Sequence, residues 1–144
     1  MKQTRKKTKK LVTNLDLTQS KNSESYILIA GRTGSGKTNM LIAYANMYPK
    51  TTLFYSQESS KKTLRKKGLK SKIKVVYEDT FSFDEIYKYD TICLDYIQLF
   101  DKEYIENLIK RLMQINIRII AVSYMKPKNY DINNIFQTTR NTNF

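Results

Sequence analysis

The sequence predicts an α/β fold of three layers, with helices covering both faces of a mainly parallel sheet of about five strands. Three observations predict it. From residue 26 onward, short apolar strand-like runs alternate with helical patterns, the grammar of consecutive β-α-β units. Two of the runs are nearly continuous in apolar residues, as in strands buried on both faces. The chain has 144 residues, enough for one core and too few for a second.

Residues 1 to 24 are polar and basic without sustained periodicity, and read as a flexible basic arm ahead of a domain at 25 to 144. The first strand is expected at 26 to 30. A helix at 39 to 48 follows, with Met40, Leu41, Ala43, Tyr44 and Met47 on an apolar stripe. A strand at 52 to 55, a short basic helix at 61 to 67 and a strand at 73 to 77 come next. Ser82 and Glu85 have capping-box spacing for a short helix at 83 to 88, ahead of a strand at 91 to 95. Asp101 is placed to cap a helix at 102 to 114, which puts Ile105, Leu108, Ile109, Leu112 and Met113 on one face. The last expected strand is 118 to 123, and Pro127 closes the loop after it. Parallel sheets bind ligands at the carboxyl ends of their strands, so functional residues are expected just after 30, 55, 95 and 123.

Composition narrows the function classes. No run approaches the ~20 apolar residues of a membrane span, and the lysine-rich start leads into no apolar signal core, so a cytoplasmic protein is expected. Cys93, the one cysteine, lies in an apolar strand pattern and reads as a small core residue. With no histidine, the commonest general base and zinc ligand is missing. The net charge of +13 is confined to two patches: residues 1 to 10 hold six basic side chains and residues 61 to 74 hold eight, with no acid in either. Without those 14, the remaining 12 basic residues meet 13 acids. Such patches are the footprint of phosphate contact with nucleic acid; a solvated tail plus a lysine-coated helix is the competing reading.

Directly behind the first strand stands GRTGSGKT, comprising Gly31, Arg32, Thr33, Gly34, Ser35, Gly36, Lys37 and Thr38. This is a complete Walker A sequence, G-x-x-x-x-G-K-[ST], with the strand before it and the helix after it that the motif requires. The glycines let backbone N–H groups line a concave nest, and the following helix adds its positive end. Lys37 is then expected on the β- and γ-phosphates of ATP and the Thr38 hydroxyl on Mg2+.

The run Thr91-Ile92-Cys93-Leu94-Asp95 ends an apolar strand in an acid, as a Walker B strand does, and Asp95 is expected to hold Mg2+ directly or through water. The next position, where many such ATPases carry a catalytic glutamate, is Tyr96. Glu58, at the end of LFYSQE, is the best substitute for orienting water; a solvent-exposed loop acid is the other reading of it. Gln98, Ser123 and Tyr124 are further polar groups expected near the γ-phosphate.

At these residues the chain resembles the P-loop ATPases of the additional-strand division. GRTGSGKTNML, LFYSQESSKKT, TICLDYIQLF, IIAVSYMKPKNY and IFQTTRNTNF are similar to successive segments of the FtsK/HerA group, which includes packaging ATPases of viruses and virus-like transposons. FYSQESSKKTLRKK and LDYIQLF also resemble the RecA/DnaB-type replicative helicases, a likeness that gives Glu58 a catalytic role. Thymidine kinases share a run near Asp95 to Leu99 but not their catalytic acid, which is Tyr96 here. The first resemblance implies an ATPase that packages or translocates DNA, works as a homo-oligomer and sits in the host cytoplasm if viral. It also implies an arginine donated by a neighbouring subunit, for which Arg140 and Arg118 are candidates. The competing class is a nucleotide-binding adaptor without turnover, to which Tyr96 points.

Overall fold

The computed structural model describes residues 10–11, 15–16, 26–31, 36–124 and 141–143. Two short strands, β1 (Lys10–Leu11) and β2 (Leu15–Asp16), pair antiparallel within the stretch expected to be a flexible basic arm. The main sheet begins with β3 (Tyr26–Ala30) and continues through α1 (Lys37–Met47), β4 (Thr52–Tyr55), α2 (Lys61–Lys66) and β5 (Lys74–Val76). A 3-10 helix at Phe83–Lys88 leads to β6 (Thr91–Leu94), and a 3-10 turn at Ile97–Leu99 leads to α3 (Lys102–Gln114). The chain then forms β7 (Arg118–Ser123) and, at its end, β8 (Asn141–Asn143).

Six strands lie in the order β5-β4-β6-β7-β3-β8, every neighbouring pair parallel. The five expected strands are all present. The sixth, β8, was not legible because Asn-Thr-Asn carries no apolar signal; it is an edge strand beside β3. Along the order, β7 stands between β3, which leads into the glycine-rich loop, and β6, which leads into Asp95.

Side chains alternate across the sheet and so divide the interior in two. Ile27, Ile29, Phe54, Cys93, Ile120 and Val122 pack with Leu41, Ile42, Tyr44 and Ala45 of α1 and Leu64 of α2. Their strand neighbours Leu28, Leu53, Tyr55, Ile92, Leu94 and Ile119 pack with Ile105, Leu108, Ile109 and Leu112 of α3. Helices thus cover both faces, and this accounts for strands that are nearly continuous apolar runs.

Asp101 caps α3 as expected, its Oδ2 accepting the Tyr104 N–H at 3.0 Å. Three local expectations are corrected. Helix α1 starts at Lys37, and its buried face includes Ile42 and Ala45 while Ala43 is exposed. The reason is that α1 lies across β3, β7 and β4 and is also flanked by Leu64 and Leu69, so a broad face rather than a stripe is covered. The Ser82–Glu85 capping box does not form. Residues 83 to 88 wind as a tight 3-10 helix, Ser82 makes no side-chain cap bond, and Glu85 instead pairs with Lys74 at 3.2 Å.

Candidate functional site

The carboxyl ends of β3, β4, β6 and β7 all open at one pole of the sheet, because the strands are parallel. Gly31 leaves β3 there, buried, and donates its N–H to the Ser123 carbonyl at the end of β7 (3.3 Å). Arg32, Thr33, Gly34 and Ser35 lie outside the described residues. The loop re-enters at Gly36, whose φ of 91° is left-handed. Among the described residues nothing beyond its chain neighbours lies within 4 Å of where a Cβ would stand, and the left-handed φ by itself favours glycine here. Gly36 makes no side-chain cap, and the first turn of α1 carries no acid. The positive end of the helix is therefore not neutralised by the helix's own side chains.

That first turn supplies Lys37 and Thr38, 1 % and 6 % exposed. Across the strands, β6 ends at Leu94, and the Asp95 N–H reaches the Tyr55 carbonyl at 3.1 Å, which holds the acid against β4. The Thr38 hydroxyl donates to Asp95 Oδ1 at 3.3 Å. This one contact joins the two sequence motifs, 57 residues apart. Asp95 is 1 % exposed, and burial pushes its carboxyl up to about 6, opposed by the Thr38 hydrogen bond and the Lys67 charge and reinforced by Glu58. Burial also lowers the Lys37 ammonium from its ordinary range.

A buried carboxyl with a hydroxyl beside it fits a hard divalent cation. Mg2+ is held by one or two protein oxygens plus phosphates and water, and Thr38 and Asp95 offer that donor set.

Around this centre the structure gathers the weaker sequence candidates. Gln98 bridges two strand exits: its Nε2 donates to Ser123 Oγ, and its Oε1 accepts the Tyr124 N–H at 3.3 Å. Tyr96 and Tyr124 stack, ring centroids 4.6 Å apart, and the Lys37 ammonium lies 5.7 Å from each centroid. The sequence foretells neither the stack nor its contact with Lys37, since no local pattern marks two rings so far apart in the chain. Tyr96 itself has φ 57° and ψ 78°, a left-handed conformation that is uncommon for a bulky side chain.

Glu58 stands on the loop after β4, exposed, at the same pole; its charge is felt at both Asp95 and Tyr124. The loop is braced beneath it by Ser56 Oγ and the Tyr77 hydroxyl, both donating to the Ser59 carbonyl (3.3 and 2.8 Å). Arg118 stands at the amino end of β7, away from this pole, and Arg140 lies outside the described residues. Cys93 is fully buried, and burial pushes its thiol up, as for an unreactive core residue.

The basic segment at 61 to 74 divides. Arg65 donates to the carbonyls of Lys70 and Ile73, and Lys74 pairs with Glu85, so two of its eight cations are engaged within the fold. Lys61, Lys62, Lys66, Lys67, Lys70 and Lys72 are exposed. Asn46 of α1 ties this segment down, donating to the Gly68 carbonyl (2.8 Å) and accepting the Lys70 N–H (2.9 Å). Residues 1 to 9 of the other basic patch lie outside the described residues. Among the described residues no helix is long and apolar enough to cross a membrane. Compared with known proteins, the chain matches no family model and no curated sequence.

Proposed function

We propose that this chain is an ATP-binding P-loop ATPase that acts on DNA, of the genome-packaging or DNA-translocating kind found in viruses and mobile elements. The observation that carries it is the Thr38–Asp95 contact beside a buried Lys37, at the pole where β3 runs into a glycine-started helix. In this reading Lys37 neutralises β- and γ-phosphate oxygens, and Thr38 and Asp95 hold Mg2+. The cation, when bound, neutralises charge that develops on the phosphates. The Tyr55 carbonyl holds the Asp95 backbone and the Thr38 hydroxyl its carboxyl, and Glu58 orients water from its loop. The strand β7 between β3 and β6 supports the additional-strand division. The exposed lysines of 61 to 74 and the arm at 1 to 10 contact DNA phosphates. Several copies work together in the cytoplasm, host cytoplasm if the source is viral, and an arginine from a neighbour completes each site.

A second reading, a nucleotide-binding adaptor of a replication or packaging machine, is favoured by one observation: Tyr96 occupies the position after Asp95, and the remaining acid, Glu58, is exposed. A helicase core of the RecA/DnaB type would instead make Glu58 the principal catalytic acid. DNA-stimulated ATP hydrolysis separates them. For the ATPase, Lys37→Ala abolishes turnover and Glu58→Gln lowers it at least roughly tenfold, loss of a general base ordinarily costing about 10²–10⁴-fold. Retained Mg-dependent ATP binding without any turnover in the wild type would leave the adaptor.

A further inference from the structure

A lysine side chain on a phosphate loop is flexible, with a strongly hydrated head, and an ammonium withdrawn from water needs a partner. Among the described residues Lys37 meets two aromatic rings. Its ammonium is 5.7 Å from the centroids of both Tyr96 and Tyr124, which stack on each other at 4.6 Å with 29° between their planes. The ammonium thus lies within cation–π range of both rings at once.

The rings come from different elements, one directly after Asp95 and one directly after β7, and three features fix them. Tyr96 adopts a left-handed backbone, which a bulky residue keeps only where its surroundings impose it. Gln98 locks the turn after β6 to Ser123 and Tyr124. The Ser123 carbonyl in turn takes the Gly31 N–H, so the same strand end that carries Tyr124 also holds the start of the loop.

We propose that Tyr96 and Tyr124 form an aromatic clasp that positions the Lys37 ammonium for a polyphosphate. They are positioning residues and act only through Lys37; the inference rests on the nucleotide-binding reading above. The clasp restricts the lysine before phosphate arrives, and the ring faces, not the phenolic hydroxyls, supply the attraction.

The test is equilibrium binding of a fluorescent ATP analogue with Mg2+ by the full chain and its variants. At position 96 the ring is removed as Tyr96→Asn, because asparagine tolerates a left-handed backbone. At 124 it is removed as Tyr124→Leu. Each removal is expected to weaken binding by about tenfold or more, the scale of a desolvated cation–π contact. Tyr96→Phe and Tyr124→Phe restore affinity to within about twofold, since phenylalanine keeps the ring face. In a Lys37→Ala background, removing a ring has no further effect. Undiminished affinity in both ring-removal variants overturns the clasp while leaving nucleotide binding intact. So does an equal loss with and without Lys37, or a failure of phenylalanine to restore binding. A wild-type chain that binds no nucleotide overturns both the clasp and the reading beneath it. Thermal unfolding checks each variant, and if Tyr96→Asn does not fold, the Tyr124 variants decide.

Discussion

Asp95 combines cost and use in one side chain. Its carboxyl is buried, and burial pushes it up to about 6 from an ordinary value near 3.8. An acid raised in this way binds its proton more tightly folded than unfolded, so its contribution to stability falls as pH rises from about 4 to about 6 and stays lost above that. The penalty above pH 6 is on the order of 1–3 kcal/mol. Asp95→Asn keeps a polar partner for Thr38 and removes the charge. With metal chelated, we expect it to raise the melting temperature by several degrees at pH 8 and to leave it nearly unchanged at pH 4. An unaltered melting temperature at pH 8 would show that the charge is compensated. The same variant should lose Mg-dependent nucleotide binding on the proposed reading, the usual exchange of stability for a working site.

Strand exits and helix starts do the positioning at the next scale. Helix α3 is held by a side-chain cap at Asp101, whereas the 3-10 helix at Phe83–Lys88 has none at Ser82. Asp101→Ala is therefore expected to cost about 0.5–2 kcal/mol, and Ser82→Ala to stay within about 0.5 kcal/mol, both read from denaturant unfolding. Equal losses would mean that the two caps are equivalent in solution. In sequence the two look alike, since each has an oxygen-bearing residue ahead of an amphipathic run. What separates them is outside the local sequence: Lys74, on a neighbouring strand, takes the Glu85 carboxylate that a capping box would need. The expected and observed limits of α3 coincide because its apolar face repeats cleanly and meets one surface. The buried face of α1 is broader than its expected stripe because several elements cover it.

Over the whole molecule, parallel order is what makes a site. It brings the exits of β3, β4, β6 and β7 to one pole, so Lys37, Glu58, Asp95 and Ser123 share it without being neighbours in the chain. Charge is organised at this scale too. Six lysines of the 61 to 74 segment are exposed, and Lys61 and Lys62 sit in the first turn of α2, where a positive charge opposes the helix dipole. Replacing Lys61, Lys62, Lys66 and Lys67 by glutamine should weaken DNA binding and shrink the slope of log affinity against log salt by about 0.7–0.9 for each phosphate no longer neutralised. An unchanged slope would remove this segment from the interface. Deleting residues 1 to 10 tests the arm in the same way.

By itself the sequence determined the fold class, the five apolar strands of the main sheet and the capped α3. These are signals of local periodicity and capping, each written within a few residues. Only the tertiary structure decided that β7 stands between the loop-bearing strand and the acid-bearing one, that Thr38 reaches Asp95, and that Tyr96 and Tyr124 stack beside the Lys37 ammonium. Those contacts join side chains far apart in the chain, and they exist because a parallel sheet gathers its strand ends at one pole, which no local pattern encodes.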